Sequence, residues 1–215
     1  SDKKTAYHPG DRRNIVVEHH QGTGVRKHFA DRLGALNRCR GLSALFFVFQ
    51  EVYMKKIGII MGSDSDLPII KKATDMLKAL EIPFEVHIYS AHRTPVEARD
   101  FAVNARANGF GALICAAGMA AHLAGAIAAG TTLPVIGIPC KGGMMDGLDA
   151  LLATVQMPTG IPVATVAVNG GANAALLAAQ ILSVSDAEIA AKLDAKRIAD
   201  AKVVLEKDAG VMEKL

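Results

Sequence analysis

The sequence predicts an α/β domain wound on both faces of a parallel sheet. From Met54 onward, short apolar strands alternate with segments of helix length, and the connections between them are only a few residues long. Parallel strands cannot be joined by a tight hairpin and need a crossover, which the intervening helices supply. Nothing within the domain reads as an internal repeat or a low-complexity linker.

The elements follow in order. Lys56–Met61 is the first predicted strand, and Leu67–Glu81 the first predicted helix, with Ile69, Ile70, Ala73, Met76, Leu77 and Leu80 at helical spacing. Phe84, Val86 and Ile88 alternate as a second strand. The next helix is expected to open at a capping box, Thr94-Pro95-Val96-Glu97: the threonine oxygen accepts the Glu97 amide while the glutamate reaches back, and proline suits the first helical position. Gly109 is expected to stop that helix. Ala112–Ala116, Pro134–Ile138 and Val163–Val168 are the remaining predicted strands, with an Ala-rich helix near 120–129 between the first two. Two helices near 172–183 and 186–206 end the domain. The helices near 120–129 and 172–182 are apolar nearly all round, which predicts that each has its second face covered by something other than its own sheet. A partner subunit is the economical candidate.

Composition bounds the function. With 215 residues, 51% of them hydrophobic and 21% charged, the chain has enough apolar content for a sizeable core, which argues against global disorder. No apolar run approaches the roughly 18 residues that span a bilayer, so no membrane partner is expected. Three cysteines, Cys39, Cys115 and Cys140, show neither a disulfide framework nor metal-ligand spacing, and the chain reads as intracellular. Residues 1–53 hold nine of the 24 Lys and Arg against five of the 21 Asp and Glu, so the rest of the chain is almost neutral. It offers no basic block for nucleic acid.

Residues 1–53 also carry His8, His19, His20 and His28 and show no sustained apolar period before the run Leu42–Phe49. That run, preceded by Arg38, Cys39 and Arg40, loosely resembles parts of a signal peptide, but it lies deep in the chain and no small-residue cleavage pattern follows. The expected division is therefore an N-terminal extension or leader at 1–53, outside the fold, and one domain at 54–215. The run 42–49 is suited to a short helix or strand.

Ligands of open α/β sheets sit beyond the carboxyl ends of the strands. That rule selects four loops: Gly62–Asp66, Ser90–Thr94, Ala117–His122 and Cys140–Gly143. In the first, a glycine, the serines and a helix N-terminus suit a phosphate or ribose, with Asp66 as acceptor for vicinal hydroxyls; the alternative is that Ser65 or Asp66 merely caps the helix. The loop lacks both GxGxxG and GxxxxGK[ST] spacing, which disfavours NAD and ATP. In the second loop His92 offers an imidazole, the side chain type suited to proton transfer, and Arg93 offers a permanent cation with a planar fork for phosphate. His122 is open between a packing role and a ligand contact, whereas His87, inside the second strand, reads as structural or surface. Cys115 and Cys140 read as small buried hydrophobes, and Met144 and Met145 as part of a mobile loop or an interface.

Taken together, Gly62-Ser63-x-Ser65-Asp66, Ser90-Ala91-His92-Arg93-Thr94-Pro95, Gly118-x-Ala120-Ala121-His122-Leu123, Gln156-Met157-Pro158-x-Gly160-Ile161-Pro162-Val163 and Asn173–Ala179 closely resemble the bacterial-type N5-carboxyaminoimidazole ribonucleotide mutase family, the class I catalytic subunits of phosphoribosylaminoimidazole carboxylase. The resemblance runs in order over nearly all of 54–206 and leaves 1–53 unmatched. It implies a flavodoxin-like three-layer α/β/α subunit in a cytoplasmic homo-octamer, with C-terminal helices reaching across subunits. It also implies a metal-free, cofactor-free reaction that moves a carboxylate from N5 to C4 of an aminoimidazole ribonucleotide.

By motif position, the resemblance makes His92 the proton carrier and gives Ser63, Asp66 and Arg93 the ribose-phosphate portion, with Ser65, Ser90 and Ala91 in the same loops. Gly118, Ala120, Ala121, His122 and Leu123 would border the base and a carbon dioxide pocket. Two departures stand out: Ala124 replaces the proline common in the family, and Lys141–Gly147 differs from the usual serine- and alanine-containing loop. Two other readings share these residues, a carboxylase that uses free carbon dioxide and a non-catalytic mononucleotide-binding module.

Overall fold

The computed structural model describes residues 55–212, so the expectations for 1–53, including the run 42–49, lie outside the described residues. Strands β1 (Lys56–Met61), β2 (Phe84–Ile88), β3 (Phe110–Gly118), β4 (Val135–Cys140) and β5 (Ala164–Thr165) form one parallel sheet in the order β2-β1-β3-β4-β5. This is the flavodoxin-like order. The winding reverses between β1 and β3, which opens a crevice beyond their carboxyl ends.

Helices α1 (Leu67–Ala79), α2 (Pro95–Asn104), α3 (Leu123–Ala128), α4 (Leu148–Val155), α5 (Gly171–Ser183) and α6 (Ala187–Ala209) cover the sheet. Strand alternation sorts the core into two layers. Ile57, Ile59, Met61, Ala112, Ile114, Ala116, Ile136 and Ile138 face α1 and α5, with Ile189 and Leu193 of α6 joining behind. On the other face Ile60, Leu113, Cys115 and Val135 pack against Ala98 and Ala102 of α2 and Leu123 and Ile127 of α3. Ala124, at the second position of α3, is buried, and proline is also tolerated in a first helical turn.

Several sequence expectations change in detail. The capping box does not form, because Thr94 Oγ1 accepts from Ser90 N at 2.8 Å and turns inward to close the 90–94 loop. Gly109 does not end α2 directly: the helix stops at Asn104, and Gly109, at φ +83°, turns the chain into β3. The fifth strand shrinks to two residues at the sheet edge, though Val166 N and Asn169 N still reach Gly137 O and Pro139 O at 3.1 and 2.9 Å. Helix α4 is an addition to the sequence reading. It buries Ala150 and Thr154 and turns Leu148, Leu152 and Val155 outward, the reverse of the pattern that marks an amphipathic helix.

The all-round apolar character of α5 has an explanation within the chain. Its second face is covered by α1 and α6, so this helix does not require a partner subunit. The contact with α1 is close at Gly171, where a Cβ would collide with the Ile69 carbonyl oxygen. Gly171→Ala should therefore lower unfolding stability by about 1–3 kcal/mol, because backbone on both sides must shift. Urea unfolding checks this, and an unchanged midpoint would show that the two helices separate freely.

Candidate active site

The loops after β1, β2, β3 and β4 converge on one cleft of about 500 Å³ at the β1/β3 reversal. Ser63, Ser65, Asp66, Ser90, Ala91, His92, Arg93, Gly118, Ala120 and Leu123 all line it. Two candidates are placed differently. Ala121 is buried, 1% exposed, beneath the loop, and His122 reaches the site through His92.

The first loop is a single 3₁₀ turn, Asp64–Asp66, that runs directly into α1. Ser63 caps it by accepting from Ser65 N at 3.3 Å. Neither Ser65 nor Asp66 serves as the side-chain cap, which removes the capping alternative and leaves the Asp66 carboxylate to the cleft. Burial raises the Asp66 pKa above the ordinary carboxylate value, against the lowering effects of the neighbouring Cys140 thiol and the Ser63 backbone. Burial together with Asp66 pushes the Cys140 thiol up to about 12, and burial alone raises Cys115. Both cysteines are therefore neutral thiols at pH 7 and poor nucleophiles.

An acid whose folded pKa is raised makes the folded state less stable above that pKa. The penalty fades as pH falls through the raised value toward the ordinary range of an aspartate carboxyl. Asp66→Asn should accordingly raise Tm at pH 7, by about 2–4 °C for each kcal/mol relieved. Its advantage over wild type should shrink on acidification through that window. A lower Tm in a pH series would contradict the burial argument.

In the second loop Ser90 Oγ accepts from His92 N at 3.3 Å and from Arg93 N at 3.2 Å. With Thr94 closing the loop from behind, the backbone carrying both side chains is held independently of them. Arg93 Nη2 donates to Gly62 O at 2.7 Å, joining the second loop to the first. His92 and His122, both exposed, meet at 3.0 Å between Nε2 and Nδ1 with their rings edge to face. One of those nitrogens must donate and the other accept, so each ring fixes the tautomer of the other. The third loop makes this meeting possible: tight turns link Ala121 N to Met119 O and His122 N to Ala120 O, with Met119 at φ +52°.

The structure adds Gly62, Ala117, Met119, Lys141 and Gly142 to the cleft lining. Lys141 was signalled only by its place after the fourth strand. Met119 is likewise signalled only by its place in the loop after the third strand, and its left-handed backbone is a conformation usually left to glycine. His87 lies away from the cleft, stacked on Tyr89 at 5.0 Å and packed against Phe101. Among the described residues, no group of three or more His, Cys, Asp or Glu is arranged to hold a metal ion, and no helix is long and apolar enough to cross a membrane.

Residues 56–202 match the family described as AIR carboxylase. The N5-carboxyaminoimidazole ribonucleotide mutase of Pyrococcus abyssi is 52% identical over 143 residues, covering 66% of this chain and 82% of that protein. The phosphoribosylaminoimidazole carboxylase of Saccharomyces cerevisiae is also 52% identical, over 138 residues that make up 64% of this chain but 24% of the yeast protein. Among solved structures, Treponema denticola PurE aligns with a TM-score of 0.65 and 30% identity, over 72% of this chain and 97% of that one. The matched span contains all four loops of the cleft and every strand that carries them. The chain belongs to the AIR carboxylase family.

Proposed function

We infer that this chain is the enzyme of purine biosynthesis that converts N5-carboxyaminoimidazole ribonucleotide to the 4-carboxy isomer. The observation that carries the assignment of roles is the His92–His122 pair beside a cleft whose lining includes Ala117, Gly118 and Ala120. A proton carrier beside a pocket of small residues is what this chemistry needs.

In the proposed mechanism the N5–carboxylate bond breaks, its electron pair stays on nitrogen, and His92 delivers a proton to N5. Carbon dioxide is released against the small residues and is held beside C4 instead of escaping to water. The electron-rich ring then attacks it through C4. The new C4 centre carries both carboxylate and hydrogen, and His92, now neutral, removes that proton to restore aromaticity. Net, one proton moves from C4 to N5, so no external acid or base is consumed. His122 holds the His92 ring in the orientation from which both transfers run. Ser63, Asp66 and Arg93 take the ribose 5-phosphate portion, with Ser65, Ser90 and Ala91 shaping the surrounding loops. The direct test is incubation of the purified protein with N5-carboxyaminoimidazole ribonucleotide while formation of the C4 carboxylate is followed; binding without conversion would favour a non-catalytic module.

The working unit in this proposal is a cytoplasmic homo-octamer of the 54–215 domain, with 1–53 dispensable. Support comes from apolar side chains the subunit leaves exposed: Leu148, Leu152 and Val155 on α4, and Ile198, Val204 and Leu205 on the distal half of α6. A chain beginning at Met54 should assemble and turn over substrate. A monomer in light scattering would contradict the assembly, and an inactive assembly would contradict dispensability.

A further inference from the structure

We infer that Lys141 is a second oxyanion-binding residue of the cleft, held by Asp146 when no ligand is bound. The inference rests on the functional reading above. Lys141 follows β4, while Arg93 follows β2, with β1 and β3 between them in the sheet, so the two cations reach the cleft from opposite sides. Its backbone is fixed: Asn169, at φ +59°, accepts from Lys141 N at 2.8 Å while its own amide donates to Pro139 O at 2.9 Å. Only the side chain is left to move.

The ammonium lies 3.0 Å from Asp146 Oδ1, with the two side chains 59% and 72% exposed. A pair so wet is weak and readily exchanged for a better acceptor. Asp146 sits at φ +54° between Gly143 and Gly147, at φ +67° and +96°, in a loop that packs little of itself into the core. The ribonucleotide of the proposed reaction carries a phosphate and a carboxylate, while the cleft also holds the Asp66 carboxylate. Arg93 alone leaves that negative charge under-compensated, and a lysine opposite it corrects the balance.

The test measures binding of two ligands to the full chain by calorimetry: aminoimidazole ribonucleotide, which has the phosphate only, and its 4-carboxy derivative, which has both groups. Lys141→Gln should weaken binding on the order of tenfold, the scale of one charge-assisted hydrogen bond. Loss for both ligands assigns Lys141 to the phosphate, and loss for the carboxylated ligand alone assigns it to the carboxylate. Lys141→Arg should restore most of the affinity. Asp146→Asn, which frees the ammonium without removing it, should bind at least as tightly as wild type. If wild type binds both ligands and Lys141→Gln matches it within twofold, the inference is overturned alone; a tenfold loss in Asp146→Asn would overturn it too, by making loop integrity the cause. Wild-type protein that binds neither ligand would overturn the functional reading and this inference together.

Discussion

His92→Asn is expected to lose on the order of 10²–10⁴ in turnover, the usual contribution of a positioned acid–base group, while ribonucleotide binding stays within a few-fold of wild type. The split between the two effects follows from how the loop is built. Ser90 Oγ holds the main-chain amides of residues 92 and 93, and Thr94 closes the loop behind them, so the imidazole is not needed for the loop's shape. Asparagine keeps a polar group at the site but cannot shuttle a proton near neutrality. Near wild-type turnover in single-turnover kinetics would remove His92 from the mechanism. Equal collapse of binding and turnover would make it a positioning residue.

Arg93→Ala should weaken binding of the phosphorylated ligand by roughly ten- to a hundredfold, with little change in unfolding stability. Arg93 is exposed, and among the described residues its guanidinium makes one hydrogen bond, to Gly62 O at 2.7 Å, so its fork has donors left for a phosphate at the 3₁₀ turn. Removing it takes away charge and geometry at once. Arg93→Lys keeps the charge and loses the fork, and should recover only part of the affinity. Titration with the ribonucleotide, set beside a urea melt of the same variants, separates ligand loss from fold loss. Unchanged affinity would move the phosphate elsewhere in the cleft.

These expectations show which features of the molecule a sequence can carry. β1 is legible in the sequence to the residue, because Ile57, Ile59 and Ile60 are buried between two helical layers and β-branched runs of that length have few other uses. The four site loops were legible for a different reason: strand ends are where an α/β sheet binds, and polar residues there stand out against an apolar chain. What was hidden depended on groups far apart in sequence. α4 was obscured because its large residues point away from the sheet and its inward contact is Thr154 against Gly137, where a Cβ would meet the threonine methyl. Thr94 has the sequence position of a helix cap, but Ser90, four residues earlier, engages its hydroxyl through both main-chain groups. The cover over α5 was similarly invisible, since nothing in 172–182 says that α1 and α6 lie beside it. The meeting of His92 with His122 requires the β1/β3 reversal to bring two loops thirty positions apart together.

Asp66 connects stability with function at the same site. The residue is 9% exposed, and burial disfavours its charged form, so the folded chain carries a cost that an apolar or amide replacement would relieve. Sites that keep such a group generally trade stability for activity. The predicted rise in Tm for Asp66→Asn should therefore come with weaker ribonucleotide binding, measurable on the same sample.

The central claim is that the carboxylate travels within one substrate molecule, and Arg93, Thr94 and Pro95 after His92, with the Gly-x-Ala-Ala-His-Leu loop, align the chain with that class. Carbon dioxide released from the substrate's own nitrogen beside C4 is present at very high effective concentration, so buffer bicarbonate should scarcely compete. The most direct measurement converts unlabelled N5-carboxyaminoimidazole ribonucleotide in ¹³C-bicarbonate buffer and reads the C4 carboxylate by mass spectrometry. The account predicts product that keeps mostly the substrate's original carbon. Full exchange with the buffer pool, together with efficient turnover of the uncarboxylated ribonucleotide at low bicarbonate, would contradict it and make the enzyme a carboxylase of free carbon dioxide.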